Sequence, residues 1–148
     1  MSTGASIDPL VLRQLTQRLD HAAGELVDQH GLTVDQWRML ERLADVGAET
    51  MAGLTTALAL TGPTTTRVAD RLVGMALVYR DVDATDRRKV VLRLSRRGRQ
   101  CYQRLSVDIC AQQDAAMSGL EDTERELLMR LLSRAIHEDP RQQAGVAS

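Results

Sequence analysis

Between Leu77 and Leu94 the apolar pattern leaves its three- and four-residue rhythm, takes a period of two, and then returns to the first rhythm. Leu77-Val78-Tyr79-Arg80 makes a short strand, and Lys89-Val90-Val91-Leu92-Arg93-Leu94 a better one. Alternation places Val90, Leu92 and Leu94 on one face of that second strand and Lys89, Val91 and Arg93 on the other. The eight residues from Asp81 to Arg88 are polar and too many for a two-residue turn, so they form an extended hairpin tip. A β-hairpin embedded in a helical chain admits few architectures, and what precedes it narrows them further.

Just before the hairpin come two short helical stretches, from about Thr50 to Leu58 and from about Gly62 to Met75. Thr61 is the N-cap of the second, and Pro63 sits in its first turn. Two short helices across a tight turn predict a helix-turn-helix, and a basic-tipped hairpin directly after it is a wing. On the second helix Val68, Leu72 and Met75 stack on one side. Pro63, Thr66 and Asp70 then point nearly opposite, with Arg67 at their edge.

The flanks are helical. Asp8 caps a helix over about Pro9 to Gln29, with Pro9 at its first position and His30-Gly31 at its stop. Thr33 followed by Gln36 is a capping box opening a helix to about Asp45, with Trp37, Leu40, Leu43 and Ala44 as its apolar stripe. A long helix runs from Ser95 to about Ala116, and a last one from the acidic Glu121–Glu126 stretch to about His137. The fold class is mainly α with a small β-hairpin wing (α+β). Its divisions are a dimerisation helix over 8–31, a winged helix-turn-helix over 32–94 (recognition helix about 62–75, wing about 77–94), dimerisation helices over 95–138, and a small, polar, disordered tail over 139–148. The first and last helices carry apolar faces broader than a small winged core covers. An isologous pairing of two copies would bury them, which predicts a homodimer.

The net charge of −1 conceals an uneven distribution. From Arg67 to Arg104 there are eleven Lys/Arg against four Asp/Glu, and the rest of the chain is correspondingly acidic. Such a block is the electrostatic footprint of a polyanionic partner. A helix N-terminus with Thr65, Thr66 and Arg67 suits the major groove, where Arg meets guanine and Thr meets phosphate or a thymine methyl. Thr61, Pro63 and Arg71 complete that surface. Arg87 and Arg88 at the wing tip suit a minor groove or its phosphates, with Asp86 positioned to hold the Arg88 guanidinium. The partner is therefore double-stranded DNA. The rival reading is a winged-helix interaction module without operator binding, which the acidic flanks favour.

Other chemistry lacks a pattern. His21, His30 and His137 have no HxxxH or HExxH spacing, and no GxSxG, GxGxxG or GxxxxGK[ST] motif occurs, so neither an enzyme, a metal site nor a cofactor is expected. Cys101 and Cys110 lie nine residues apart on one predicted helix, about 13 Å along its axis and on opposite faces, which excludes a disulfide within it. A thiol-based redox response between subunits is the alternative use of them. No apolar run approaches about 18 residues, so no membrane span is expected. The N-terminal MSTGASIDPL has no secretory pattern, which points to the cytoplasm.

The run Leu58-Ala59-Leu60-Thr61-Gly62-Pro63-Thr64-Thr65-Thr66-Arg67-Val68-Ala69-Asp70-Arg71-Leu72 resembles the recognition helix of the MarR family of regulators. Asp83-Ala84-Thr85-Asp86-Arg87-Arg88, followed by Val91-Leu92-Arg93-Leu94-Ser95-Arg96-Arg97-Gly98, resembles that family's wing and its entry into the next helix. The resemblance implies a homodimeric repressor at a palindromic operator. It places Thr65, Thr66 and Arg67 in the major groove and Arg88, braced by Asp86, in the minor groove. It also implies a small aromatic or phenolic effector, or thiol oxidation, as the controlling signal. Trp37 is the one large aromatic on the second helix that suits such an effector; otherwise it is a core residue. Ala76 stands where the family usually has Gly before the wing, at a cost of about 1 kcal/mol in left-handed geometry, unless Gly74 shifts the helix end. The cysteine near the first helix that oxidation-sensing relatives carry has no counterpart here.

Overall fold

The computed structural model describes residues 6–137. The expected disordered tail, 139–148, lies outside them. In chain order the elements are α1 (Pro9–Asp28), α2 (Val34–Val46), β1 (Glu49–Thr50), α3 (Met51–Ala57), α4 (Gly62–Gly74), β2 (Val78–Val82), β3 (Val90–Leu94), α5 (Arg96–Ala116) and α6 (Asp122–His137). The chain divides after Gln113 into two units, and α5 runs through the boundary.

In the first unit the helix starts follow the caps. The Asp8 carboxylate accepts from the Leu10 N–H at 2.9 Å. Thr33 and Gln36 close the capping box reciprocally, at 3.2 and 3.0 Å. Thr50 and Thr61 accept the N–H groups of Gly53 and Thr64, and Ser95 that of Gly98. Each satisfies a donor that a helix start leaves without a partner.

Three helices stop by one device. The backbone turns left-handed at Gly31 (φ 70°), Ala59 (φ 52°) and Ala76 (φ 57°). At each stop that residue's N–H and the next one's reach back to carbonyls of the last turn: Gly31 to Asp28 and Leu32 to Val27, Ala59 to Thr56 and Leu60 to Thr55, Ala76 to Val73 and Leu77 to Leu72. Gly74 does not shift the end of α4. Ala76 itself takes the strained conformation, because Leu77 must turn inward to start the wing.

The wing is part of a three-stranded antiparallel sheet, ordered β1-β3-β2. Val78 pairs with Leu94 and Val82 with Val90, so β2 runs two residues into the segment expected as hairpin tip. β1 is an addition to the expected hairpin: Glu49 pairs with Leu92 and Thr50 with Val91. Flanked on both edges, β3 buries Val91 (2% exposed) as well as Leu92 and Leu94, while Val90, on the same face as Leu92 and Leu94, is 53% exposed beyond the reach of β1.

The core of this unit joins Ala23 and Val27 of α1, Trp37, Met39, Leu40 and Leu43 of α2, Leu54 of α3, Val68, Ala69 and Leu72 of α4, the inward residues of β2 and β3, and Cys101, Leu105 and Ile109 of α5. Gly98 lets α5 lie directly on the wing's root, since a Cβ there would stand 1.9 Å from the Leu77 carbonyl oxygen. The Ser95 hydroxyl donates to the Ala76 carbonyl at 2.7 Å and fastens the wing's exit to its entrance.

The second unit contains α6. Glu124 reaches back to the Glu121 N–H at 2.8 Å, and Arg125 pairs with Asp122. No α6 residue is buried, and Leu127, Met129, Leu131 and Ile136 are exposed.

Candidate nucleic-acid interface

α4 presents the surface that the helical phase predicts, with one correction. Thr61, Pro63, Thr66, Arg67, Asp70 and Arg71 are exposed, whereas Thr65 is fully buried. Its hydroxyl donates to the Thr61 carbonyl and accepts from the Thr55 hydroxyl, both at 3.0 Å. Thr65 lies three residues before Val68 and four before Ala69, on the core stripe of α4. Its place near the helix N-terminus does not bring it outward. Thr65 therefore joins α3 to α4 and cannot meet DNA. The Thr66 hydroxyl donates to the Gly62 carbonyl at 3.1 Å and keeps its lone pairs.

The wing tip is organised by carboxylates acting on backbone. Asp83 accepts from the Thr85 N–H (2.7 Å), the Thr85 hydroxyl (2.6 Å) and the Asp86 N–H (2.9 Å). These bonds hold its carboxyl well below the ordinary value, at about 2. Asp86 accepts from the backbone N–H of Arg88 at 3.0 Å. The expected brace on the Arg88 guanidinium is not formed: Asp86 fixes the tip's backbone and leaves the arginine head exposed.

Sequence reasoning missed two ion pairs on this side of the molecule. Arg80 of β2 pairs with Asp70 of α4, tying wing to helix, and Arg93 pairs with Asp81 across the wing at 3.0 Å. Residues ten and twelve apart on different elements give no sequence periodicity, although the strand register, once known, makes Asp81 and Arg93 diagonal neighbours. All four carboxylates of the basic block thus have internal work. Arg67, Arg71, Arg87, Arg88, Lys89 and the four arginines from Arg96 to Arg104 form no ion pair among the described residues.

A cavity of about 820 Å³ lies elsewhere in the same unit. Arg38, Glu41, Arg42 and Asp45 of α2, Tyr102 of α5 and the Ala57-Leu58-Ala59 turn line it. Trp37, the aromatic singled out from sequence, does not. It is 1% exposed and stacks on Tyr102 with ring centroids 5.4 Å apart, a core residue behind the cavity wall. Among the described residues no group of His, Cys, Asp and Glu could hold a metal, and no helix is long and apolar enough to cross a membrane.

Residues 30–89, from the end of α1 to the wing tip, match the sequence profile of the MarR family. The whole fold agrees with that match. A solved structure of NadR in complex with 4-hydroxyphenylacetate superposes with a TM-score of 0.82 at 27% identity, over 94% of this chain and 98% of the other. From the end of α1 to the wing tip, the chain is similar to the MarR family of transcriptional regulators. Among MarR-type relatives, the HTH-type transcriptional regulator FarR of Neisseria gonorrhoeae is 28% identical over 108 residues, 73% of this chain and 74% of FarR. BpsR of Bordetella bronchiseptica, whose DNA binding is regulated by 6-hydroxynicotinic acid, has a TM-score of 0.74 at 25% identity over 94% and 99% of the two chains. The MarR match ends inside the basic block, so it covers α4 and the wing tip but not the arginines of α5.

Proposed function

We propose that the chain is a homodimeric MarR-type regulator that binds a palindromic operator and is released from it by a small molecule. Thr61, Pro63, Thr66, Arg67 and Arg71 would face the major groove. Arg87 and Arg88 would meet the minor groove or its phosphates, on a tip that Asp83 and Asp86 shape. The observation that carries this is the one-sided pairing of the basic block: among the described residues its acids are occupied internally and its wing-tip and α4 arginines are not. A surface that merely kept the chain in solution has no reason to sort its charges so. The reading is of a cytoplasmic regulator rather than an enzyme.

Dimerisation is supported by apolar surface that lacks a partner. Leu10 and Val11 of α1 are 63% and 59% exposed, and in α6 Met129 and Ile136 are 61% and 74% exposed. Pairing two copies through these helices would bury them and set two α4 helices about 34 Å apart, one turn of DNA. Effector control is supported by the cavity, which is lined by the α3–α4 turn itself, so an occupant would press on the segment that aims α4. NadR and BpsR, each paired with a small aromatic acid, support the same reading.

The test is duplex binding by fluorescence anisotropy, using an operator selected from genomic fragments. Arg67→Ala and Arg88→Ala should each weaken binding by about tenfold or more while leaving the dimer intact. Affinity should fall steeply with salt, and losing a phosphate contact should flatten that slope by about one unit. Wild-type affinity in both variants, or binding indifferent to salt, refutes the proposal.

A further inference from the structure

The cavity's charges do not balance. Arg38 is paired with Asp20 and lies 3.8 Å from Asp35, and Arg42 is bonded to Glu49 at 3.1 Å. Both cavity arginines therefore spend their charge on carboxylates outside the lining. Glu41 and Asp45, one helical turn apart on α2, line the cavity and form no ion pair among the described residues. Like charges at that spacing repel. Burial pushes the Glu41 carboxyl above its ordinary value; Arg38 pulls it partly back, and Asp45 pushes it up again. The third chemical element is the Tyr102 ring. Its phenol is likewise raised by burial and by the negative charges of Glu41 and Asp45, so the three groups share one field.

We propose that this cavity takes a small organic cation, held by Glu41 and Asp45 against the ring of Tyr102. The inference rests on the effector reading above and specifies its chemistry. A carboxylate effector would meet two unbalanced carboxylates and two arginines already engaged. An ammonium or amidinium group would relieve the Glu41–Asp45 repulsion and gain the attraction of an aromatic face. The occupant is thus an amine on a compact, partly apolar frame.

The experiment uses the full chain and matched probes that differ in charge. Tyramine and 4-hydroxyphenylacetate share a phenol ring, as 4-hydroxybenzylamine and 4-hydroxybenzoate do. Binding is measured by calorimetry and thermal shift. Each amine should bind at least about tenfold more tightly than its acid twin, and Glu41→Gln or Asp45→Asn should each cut that preference by about tenfold. Because Gln and Asn keep the shapes, both variants should fold, and their unchanged duplex binding without additive confirms it. The proposal is overturned if no amine binds more tightly than its acid twin, or if the double variant keeps the preference. The two readings fail separately. Release of duplex by an acid but not by its amine twin overturns the cation and leaves the ligand-controlled regulator. An amine preference in a chain that binds no duplex does the reverse.

Discussion

Replacing Ala76 with glycine should stabilise this protein, although it adds no contact and deletes a methyl group. Ala76 is exposed and sits at φ 57°, a region that costs an L-residue with a Cβ about 1–2 kcal/mol. Glycine removes that strain but returns about 0.4–1 kcal/mol through the larger freedom of its unfolded chain. The net gain is about 0.5–1 kcal/mol, or about 3 °C in Tm for a chain of this size. Ala59 repeats the geometry at φ 52° with the same two return hydrogen bonds. Ala59→Gly should therefore gain a similar amount, and the double variant about 1–2 kcal/mol. Gly31 is the internal control: it closes α1 in the same way, and nothing lies within 4 Å of an added Cβ. Gly31→Ala should lose what the other two gain. The assay is urea unfolding at fixed protein concentration, since dimerisation would make stability concentration-dependent. If both alanine-to-glycine changes destabilise while Gly31→Ala is neutral, the strain argument is wrong.

Other consequences are more local. Thr65→Val should cost about 1 kcal/mol in urea unfolding by deleting the buried hydroxyl's bonds to the Thr61 carbonyl and the Thr55 hydroxyl, which keeps the Met51 carbonyl as acceptor, with operator sequence preference unchanged. Gly98→Ala should cost about 3 kcal/mol, because a Cβ would stand 1.9 Å from the Leu77 carbonyl oxygen, which cannot retreat to ordinary contact without displacing the wing root; wild-type stability would contradict the packing. Glu41→Gln should raise Tm at pH 7. The native carboxyl is raised, so its destabilisation sets in as pH rises above the ordinary glutamate value of 4.5, and the gain should vanish below it. Asp83→Ala should weaken operator binding without changing Tm much, because it loosens an exposed tip; the same tip should hold to about pH 2 in the parent, where Asp83 protonates.

How much the residues disclosed in advance depended on the range of the interaction. Helix starts were legible because caps are local: Asp8, Thr33, Thr61 and Ser95 each bond within three residues. The wing was legible from the switch to alternation, but its register and the reach of β2 to Val82 were not, since shifts by two residues keep the same faces. Nor was β1, since two residues cannot show a period; beside it Val91 is buried although it lies on the face opposite Leu92 and Leu94. Thr65 was misplaced although the helical phase already assigned it to the core side; proximity to a helix end says where a residue is along the axis, not which way it faces. The cavity was invisible for a different reason. Glu41 and Asp45 look like an ordinary solvated helix face until Asp20 and Glu49, distant in sequence, are seen to engage the two arginines that would have balanced them. A charge in a sequence is a quantity, but what it is free to bind is decided by what its neighbours have already bound. That distinction separates the arginines of α4 and the wing tip, which have no ion-pair partner among the described residues, from those of the cavity, which do.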